Sequence, residues 1–232
     1  MAQGAAFFDM DRTLVAANTG RVYAEHLHRT GRLTLGQVAR VAALLAGYRL
    51  SLIDLAPVME RMIGTMRGAS EAALVEDCEE LFERMVRPTI YTEASTCVAA
   101  HRAQGEPVVI ISASTPYLVR PLAEHLGMDG WLSTRPMAEG GVFTGDYERP
   151  LCYGAGKVEW ARRWCEERGL TLAASAFYTD SYSDLPLLVV VGRPFVVNPD
   201  LRLRAAALRR RWPVLRFRET VGTPAKPKES TP

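Results

Sequence analysis

Asp9 and Asp11 stand two residues apart, directly after the apolar run Ala5-Ala6-Phe7-Phe8. If the chain stays extended through Asp11, both carboxylates leave on one face, because side chains alternate along a strand. Carboxylates that close repel each other and call for a cation or a shared proton. A second acidic pair, Asp180 and Asp184, follows the apolar run Ala176-Phe177-Tyr178-Thr179. Four carboxylates with no histidine or cysteine beside them suit a hard, oxygen-seeking ion, and Mg²⁺ fits best. Such a site suits a phosphate, whose charge the metal bridges to the carboxylate. Ser112 ends a third apolar run, Val108-Val109-Ile110-Ile111, where a strand-to-helix turn offers free amides and a hydroxyl to an anion. Lys157, after Gly154-Ala155-Gly156, adds a positive charge. Taken singly, each residue has an ordinary explanation: an Asp at a strand end is commonly a cap or turn residue, a Ser after a strand an N-cap, a Lys a solvated charge. Those explanations do not account for three strand ends with complementary groups.

The elements that must position these residues follow from hydrophobic periodicity. The three apolar runs read as strands buried on both faces of a parallel sheet. In an open α/β sheet, ligands bind outside the C-terminal ends of the strands, which is where all three runs turn polar. From about Thr19 to Val86, apolar residues recur at helical spacing through Val22, Leu27, Val38, Val41 and Leu45, then Met59, Met62 and Ile63, then Leu74, Leu81 and Met85. Breaks at Gly31, near Ser51 and at Gly68-Ala69-Ser70 divide this stretch into three or four helices with no strand. Its apolar face from Val38 to Leu55 reads as core of that helical unit. Further helices are expected over about 91–104, 115–126, 156–168, 185–191 and 201–211, and strands over 194–197 and 214–217. Gly140-Gly141 and Gly145 suggest a hairpin between Trp131 and Tyr153. Alternating strands and helices imply an α/β fold with a Rossmann-like open parallel sheet, interrupted by an all-helical insertion. The expected division is a discontinuous core of residues 1–15 and 88–218, a helical unit over 16–87, and a disordered tail over 219–232, rich in Pro, Lys, Ser and Thr.

Composition narrows the class. Of 232 residues, 48% are hydrophobic, enough for a core plus a substantial insertion, and the formal net charge of +2 gives no global sign of nucleic-acid binding. The four cysteines form no C-x-x-C pair and no zinc spacing, which fits reduced thiols in a cytoplasmic protein. Residues 1–8 lack the basic start of a signal peptide, and Arg40 and Arg49 bracket a stretch too short to span a bilayer. Basic residues gather late, at Arg202, Arg204, Arg209, Arg210, Arg211, Arg216 and Arg218. They raise a membrane surface or RNA as a secondary partner, but no aromatic platform or nucleic-acid motif accompanies them.

Asp9-Met10-Asp11-Arg12-Thr13-Leu14 resembles the first motif, D-x-D-x-T-L, of the haloacid-dehalogenase superfamily. Ile110-Ile111-Ser112-Ala113-Ser114 resembles the second, Lys157 the third, and Asp180-Ser181-Tyr182-Ser183-Asp184 the fourth, D-x-x-x-D. The four occur in family order. The insertion between the first two, the Ser-Asp-Leu-Pro ending and the segment Cys152-Tyr153-Gly154-x-Gly156-Lys157 look closest to the subfamily IB hydrolases, which include phosphoserine phosphatase. The resemblance implies a helical cap of the C1 type and hydrolysis of a small phosphomonoester with Mg²⁺. It implies Asp9 as nucleophile forming an aspartyl phosphate and Asp11 as general acid and base. Mg²⁺ would be held by the Asp9 carboxylate, the Asp11 carbonyl and the Asp180 carboxylate, with Asp184 orienting the metal shell. Thr13, Ser112, Lys157 and the amides near Met10 and Ala113 would hold the phosphoryl oxygens.

Two departures bear on the substrate. Arg12 stands where many relatives carry a small residue; it points outward or touches the substrate. Phosphoserine phosphatases carry a Glu soon after the first motif to meet the substrate amine, whereas Val15-Ala16-Ala17-Asn18-Thr19 holds no acid. Within the insertion, Arg21, Tyr23, Arg61 and Arg67 are candidate specificity residues or solvated helix residues. Phosphoryl transfer to an acceptor other than water, and a non-catalytic binding protein on the same scaffold, are the competing functions. No motif residue is lost, which weighs against the second. A monomer or a homodimer fits the chain.

Overall fold

The computed structural model describes residues 3–49 and 53–222. Strand β1 (Ala6–Phe8) opens the chain, and helices α1 (Thr19–Arg29), α2 (Leu35–Arg49), α3 (Ala56–Thr65) and α4 (Glu71–Leu81) follow it. Then come α5 (Thr92–Ala103), β2 (Val108–Ser112), α6 (Pro116–His125), β3 (Gly130–Ser133), β4 (Pro136–Glu139) and β5 (Val142–Tyr147). The chain continues with α7 (Ala155–Glu166), β6 (Ala176–Thr179), α8 (Leu185–Leu188), β7 (Arg193–Val197), α9 (Leu201–Arg210) and β8 (Val214–Leu215).

Six strands form one parallel sheet in the order β3-β2-β1-β6-β7-β8. The sequence runs outward one way from β1 through β2 and β3, then resumes on the other side at β6. That reversal places the topological switch between β1 and β6, where open α/β sheets hold their ligands. Alternation along β1 divides the core. Phe8 packs with Ile110, Tyr178, Val119 and Leu122 on one face, and Phe7 with Val109, Ile111, Phe177 and Trp164 on the other. Register aligns Phe8 with Tyr178 and Tyr178 with Phe195, and the three rings stack with centroids 4.5 Å apart at each step. Each such pair adds about 0.5–1.5 kcal/mol beyond burial and fixes the strands against slipping.

The helical insertion leaves and rejoins the sheet through two segments bonded to each other. The Ala16 amide donates to the Thr89 carbonyl (2.8 Å) and the Tyr91 amide to the Leu14 carbonyl (2.9 Å). Residues 219–222, expected to begin a disordered tail, pair with the second segment instead: Val221 donates to the Ile90 carbonyl and Gly222 to the Pro88 carbonyl, both 2.9 Å. The Arg218 amide adds a bond to Glu93 (2.7 Å). The Pro and Lys residues that suggest disorder begin only at Pro224, so composition taken over the whole tail hides the pairing of Glu219-Thr220-Val221-Gly222. Residues 223–232, and the break expected near Ser51, lie outside the described residues.

The hairpin expected between Trp131 and Tyr153 is β4–β5, while Trp131 itself lies in β3, which joins the parallel sheet beside β2. The expectation of a buried apolar face from Val38 to Leu55 is corrected: α2 buries no residue, and Val38, Val41, Leu44 and Leu45 are only half-buried. The other helices account for it, since α1 and α4 close the unit around Val22, Cys78, Leu81 and Phe82, leaving α2 on its outside.

Asp77 ties this unit together. Its carboxylate accepts from both guanidinium nitrogens of Arg32 and lies 3.5 Å from the buried His26 imidazole, linking α4 to α1 and the turn after it. The Arg32 hydrogen bonds hold the Asp77 carboxyl below its ordinary value. A depressed carboxyl stabilises fully above its unfolded pKa of about 3.9 and loses that stabilisation as pH falls through the folded value. Asp77→Asn is expected to cost roughly 1–3 kcal/mol in urea unfolding at pH 7, and the gap between variant and parent should close below about pH 4.

Candidate active site

The four motifs meet at the C-terminal edge of the sheet because β2, β1 and β6 are neighbours. Asp9 follows β1 and is held in line by its amide, which donates to the Tyr178 carbonyl (2.9 Å). Lys157 reaches it from the first turn of α7. Its ammonium donates to Asp9 Oδ1 at 2.6 Å and to Asp184 Oδ2 at 2.8 Å, and all three side chains are buried. Thr179 Oγ1 donates to the same Asp184 oxygen (2.6 Å), so Asp184 is committed to both. Gly154 has φ +54°, a turn that L side chains rarely adopt, and a Cβ on Gly156 would stand 2.0 Å from the Leu151 carbonyl oxygen. Those two glycines let the chain fold tightly enough to bring Lys157 under the sheet edge.

Burial raises the Asp9 carboxyl to about 7, against the pull of Lys157. Burial by itself would lower the Lys157 ammonium, but the Asp184 and Asp9 carboxylates outweigh it and hold the group charged well above its ordinary value. Asp180, after β6, is raised well above its ordinary value by burial and by the Asp9 charge. Asp9 and Asp180 are thus both held above their ordinary values in one buried site, an arrangement that favours a cation.

The extended backbone that would set Asp9 and Asp11 on one face does not persist to Asp11. The chain turns at Met10, whose carbonyl accepts from the amides of Leu14 (2.9 Å) and Val15 (3.1 Å). Asp11 is thereby carried to the N-terminus of α1, where its carboxylate accepts from the Thr19 amide and hydroxyl (each 3.1 Å) and from Asn18 Nδ2 (3.2 Å). A helix N-terminus stabilises a negative charge. Burial is the larger effect and raises Asp11 to about 6. The same turn puts Arg12 at φ 58°, which explains why a small residue suits that position. The Arg12 charge acts to lower both Asp11 and Asp180, against the effect of their burial. Thr13 Oγ1 is buried without a partner among the described residues.

Ser112 ends β2 beside β1, and its hydroxyl accepts from the Ser114 amide (3.1 Å), shaping the turn that contains Ala113. Of the candidate residues in the insertion, Arg21 pairs with Glu25 on the surface, Tyr23 packs on the core, and Arg61 and Arg67 are exposed. Besides Asn18 and Thr19 on Asp11, Tyr48 and Arg49 at the end of α2 reach the motifs. Tyr48 Oη lies 2.6 Å from Ser181 Oγ and 2.8 Å from Ser183 Oγ, and Arg49 Nη1 donates to Asp180 Oδ2 at 2.5 Å. Nothing in their local sequence distinguishes them from other exposed helix residues. A cleft of about 400 Å³ opens between Ala56 and Glu60 of α3 and Tyr147, Arg149, Tyr153 and Gly156, one residue from Lys157.

The donor set fits Mg²⁺. No three His, Cys, Asp or Glu side chains form a closed ligand cluster among the described residues. Mg²⁺ asks for less: one or two carboxylates with waters and substrate oxygens. Asp9, raised by burial, and Asp180, raised by burial and by the Asp9 charge, could supply the carboxylates.

A family model described as haloacid dehalogenase-like hydrolase matches residues 6–189. A Streptomyces azureus protein called "inhibition of morphological differentiation protein" is 35% identical over 94% of this chain and 79% of its own. A phosphoserine phosphatase of Mycobacterium tuberculosis is 34% identical over 92% of this chain and 71% of its own. A histidinol-phosphatase of Neisseria meningitidis is 27% identical over 92% and 98%. Among solved structures, a Bordetella pertussis protein of unknown function superposes with TM-score 0.82 at 30% identity, over 93% of this chain and 99% of its own. A phosphoserine phosphatase carrying a phospho-aspartyl intermediate analogue superposes with TM-score 0.70 at 17% identity, over 95% of each chain.

The raised carboxyls set a pH dependence. With folded values of about 7 for Asp9 and about 6 for Asp11 against about 3.9 unfolded, the folded state binds more protons through that window. Their stabilisation is full below about pH 4 and is lost as pH rises through 6 to 7. In buffer with a metal chelator, the melting temperature should fall between pH 5 and 8, and Asp9→Asn should flatten the fall. An unchanged slope in that variant would assign the effect elsewhere.

Proposed function

The chain belongs to the haloacid dehalogenase-like hydrolase family, and from that premise we propose that it is a Mg²⁺-dependent phosphatase whose nucleophile is Asp9. It is a phosphoric monoester hydrolase acting on small phosphoesters; the metal, the covalent intermediate and the residue roles are our reading. The observation that carries them is the buried Asp9–Lys157–Asp184 chain, with Asp11 held apart from it at the α1 N-terminus. Lys157 fixes one Asp9 oxygen and leaves the other for attack. That oxygen forms a bond to phosphorus as the bond to the leaving oxygen breaks. Asp11, raised to about 6, keeps a protonated fraction near neutral pH and donates its proton to the leaving oxygen. It then takes a proton from the water that attacks phosphorus and releases Asp9.

Mg²⁺ would be held by the Asp9 and Asp180 carboxylates and the Asp11 carbonyl, and would neutralise charge so that a carboxylate can approach a phosphate dianion. Asp184 would orient the metal shell while holding Lys157. Lys157, Ser112, Thr13 and the amides near Met10 and Ala113 would bind the phosphoryl oxygens. The helical insertion would act as a cap over this edge, with the cleft beside Gly156 as room for a leaving group. Among the described residues no helix is long and apolar enough to cross a membrane, and a cytoplasmic enzyme meeting free phosphorylated metabolites fits that.

Relatives named for phosphoserine and for histidinol phosphate make phosphorylated amino alcohols the first class to test. The missing acid in Val15–Thr19 disfavours phosphoserine within it. Phosphate release from an aryl phosphate should require Mg²⁺ and fall at least about 10³-fold in Asp9→Asn. Asp11→Asn should lower kcat by about 10²–10⁴-fold. Full activity in Asp9→Asn would overturn the mechanism. A panel of phosphoserine, histidinol phosphate, glycerol phosphate and lysophosphatidate, compared by kcat/KM, is expected to rank histidinol phosphate above phosphoserine.

A further inference from the structure

We propose that Tyr48 and Arg49 form a latch with which helix α2 contends with the cation for Asp180. This rests on the reading of Asp180 as a cation ligand. Successive helix residues point about 100° apart, so two neighbours seldom serve one target. Here both engage the loop of the fourth motif. Arg49 Nη1 donates to Asp180 Oδ2 at 2.5 Å, and Nη2 to the Asn198 carbonyl at 3.3 Å. Tyr48 Oη bonds Ser181 and Ser183 of the same loop, and its ring lies against Tyr153 with centroids 6.3 Å apart.

The two halves of the insertion are held to the sheet domain differently. On the α3–α4 side, the β4–β5 hairpin pairs with the backbone: Phe143 donates to the Ala69 carbonyl (3.0 Å), Gly68 to the Phe143 carbonyl (2.9 Å) and Glu71 to the Gly141 carbonyl (2.9 Å). Tyr147 and Tyr117 add bonds to Glu60 and Glu71, each 2.7 Å. Ile63, Tyr147 and Leu151 close an apolar contact beneath. Helix α2 buries no residue, and its grip on the motif loop is polar, through Tyr48 and Arg49. Helix α2 can let go without opening an apolar core, while α3, with Ile63, and α4, with Cys78 and Leu81, cannot.

A guanidinium on Asp180 and a divalent cation on the same carboxylate repel each other across a short distance in a buried site, where Coulomb energies are several times those in water. Arg49 therefore weakens cation binding, and by linkage the cation weakens the latch by the same factor. Cation loading releases α2 and uncovers the edge of the sheet at Asp9, while α3, α4 and the hairpin stay in place as a fixed wall.

Two measurements on the full chain test this. Mg²⁺ affinity is read by titration calorimetry for the parent, Arg49→Met, Arg49→Lys and Tyr48→Phe. Amide hydrogen exchange of residues 35–49 is followed with and without Mg²⁺. Arg49→Met is expected to bind Mg²⁺ roughly tenfold more tightly, Arg49→Lys close to the parent, and Tyr48→Phe between the two. In the parent, Mg²⁺ should speed exchange in α2 and leave α3 and α4 unchanged; in Arg49→Met, α2 should already exchange fast. Equal affinity in the parent and Arg49→Met, or α2 exchange indifferent to Mg²⁺, overturns the latch and leaves the phosphatase reading standing. No Mg²⁺ binding in any of the four, with phosphate release that survives chelation, overturns the cation assignment itself.

Discussion

An ammonium buried between two carboxylates organises this molecule. Lys157 takes Asp9, just after β1 and 148 positions away, and Asp184, from the turn after β6 and 27 positions away, and so joins three segments. An unpaired charge at that depth would be strongly destabilising, and breaking such a pair typically costs about 3–5 kcal/mol. The surrounding structure answers to the need. Thr179 completes the shell of Asp184, and two glycines tighten the turn that delivers Lys157. The stacked rings of Phe8, Tyr178 and Phe195 fix the strands that set its reach.

The arrangement is charge-rich but unevenly satisfied. Lys157 serves Asp9 and Asp184, whereas Asp180 relies on Arg49 and on the nearby charge of Arg12. Asp11 is served by a helix terminus. Carboxylates that sit together yet find separate partners acquire different proton affinities, and that separation allows one to act as nucleophile while another carries a proton. The insertion enters the same electrostatics through Arg49, so access to the site and the charge within it share a residue.

The insertion also shows how a fold can be rigid and mobile in one unit. Paired crossing segments at residues 14–16 and 89–91, backed by 219–222, set its root. The β4–β5 hairpin braces α3 and α4 by backbone bonds, which no side-chain substitution removes. Helix α2 lacks both supports.

Most of the sheet domain was legible from sequence because its strands are buried on both faces and read as unbroken apolar runs, each ending in a polar residue. The motif residues were legible for the same reason: a strand end fixes where a side chain emerges, so Asp9, Ser112 and Asp180 could be placed together once the strands were taken as neighbours. The turn at Met10, the outward position of α2, the pairing of 219–222 and the reach of Tyr48 and Arg49 were not. Local periodicity reports which face of a segment is apolar, but not what covers it. Residue types and their order along the chain set the chemistry on offer: carboxylates, a lysine and a hydroxyl, most of them at strand ends. Tertiary structure alone decided which carboxylate meets which cation, because that depends on strand order and on contacts between residues more than a hundred positions apart, where pairing is set by packing in three dimensions.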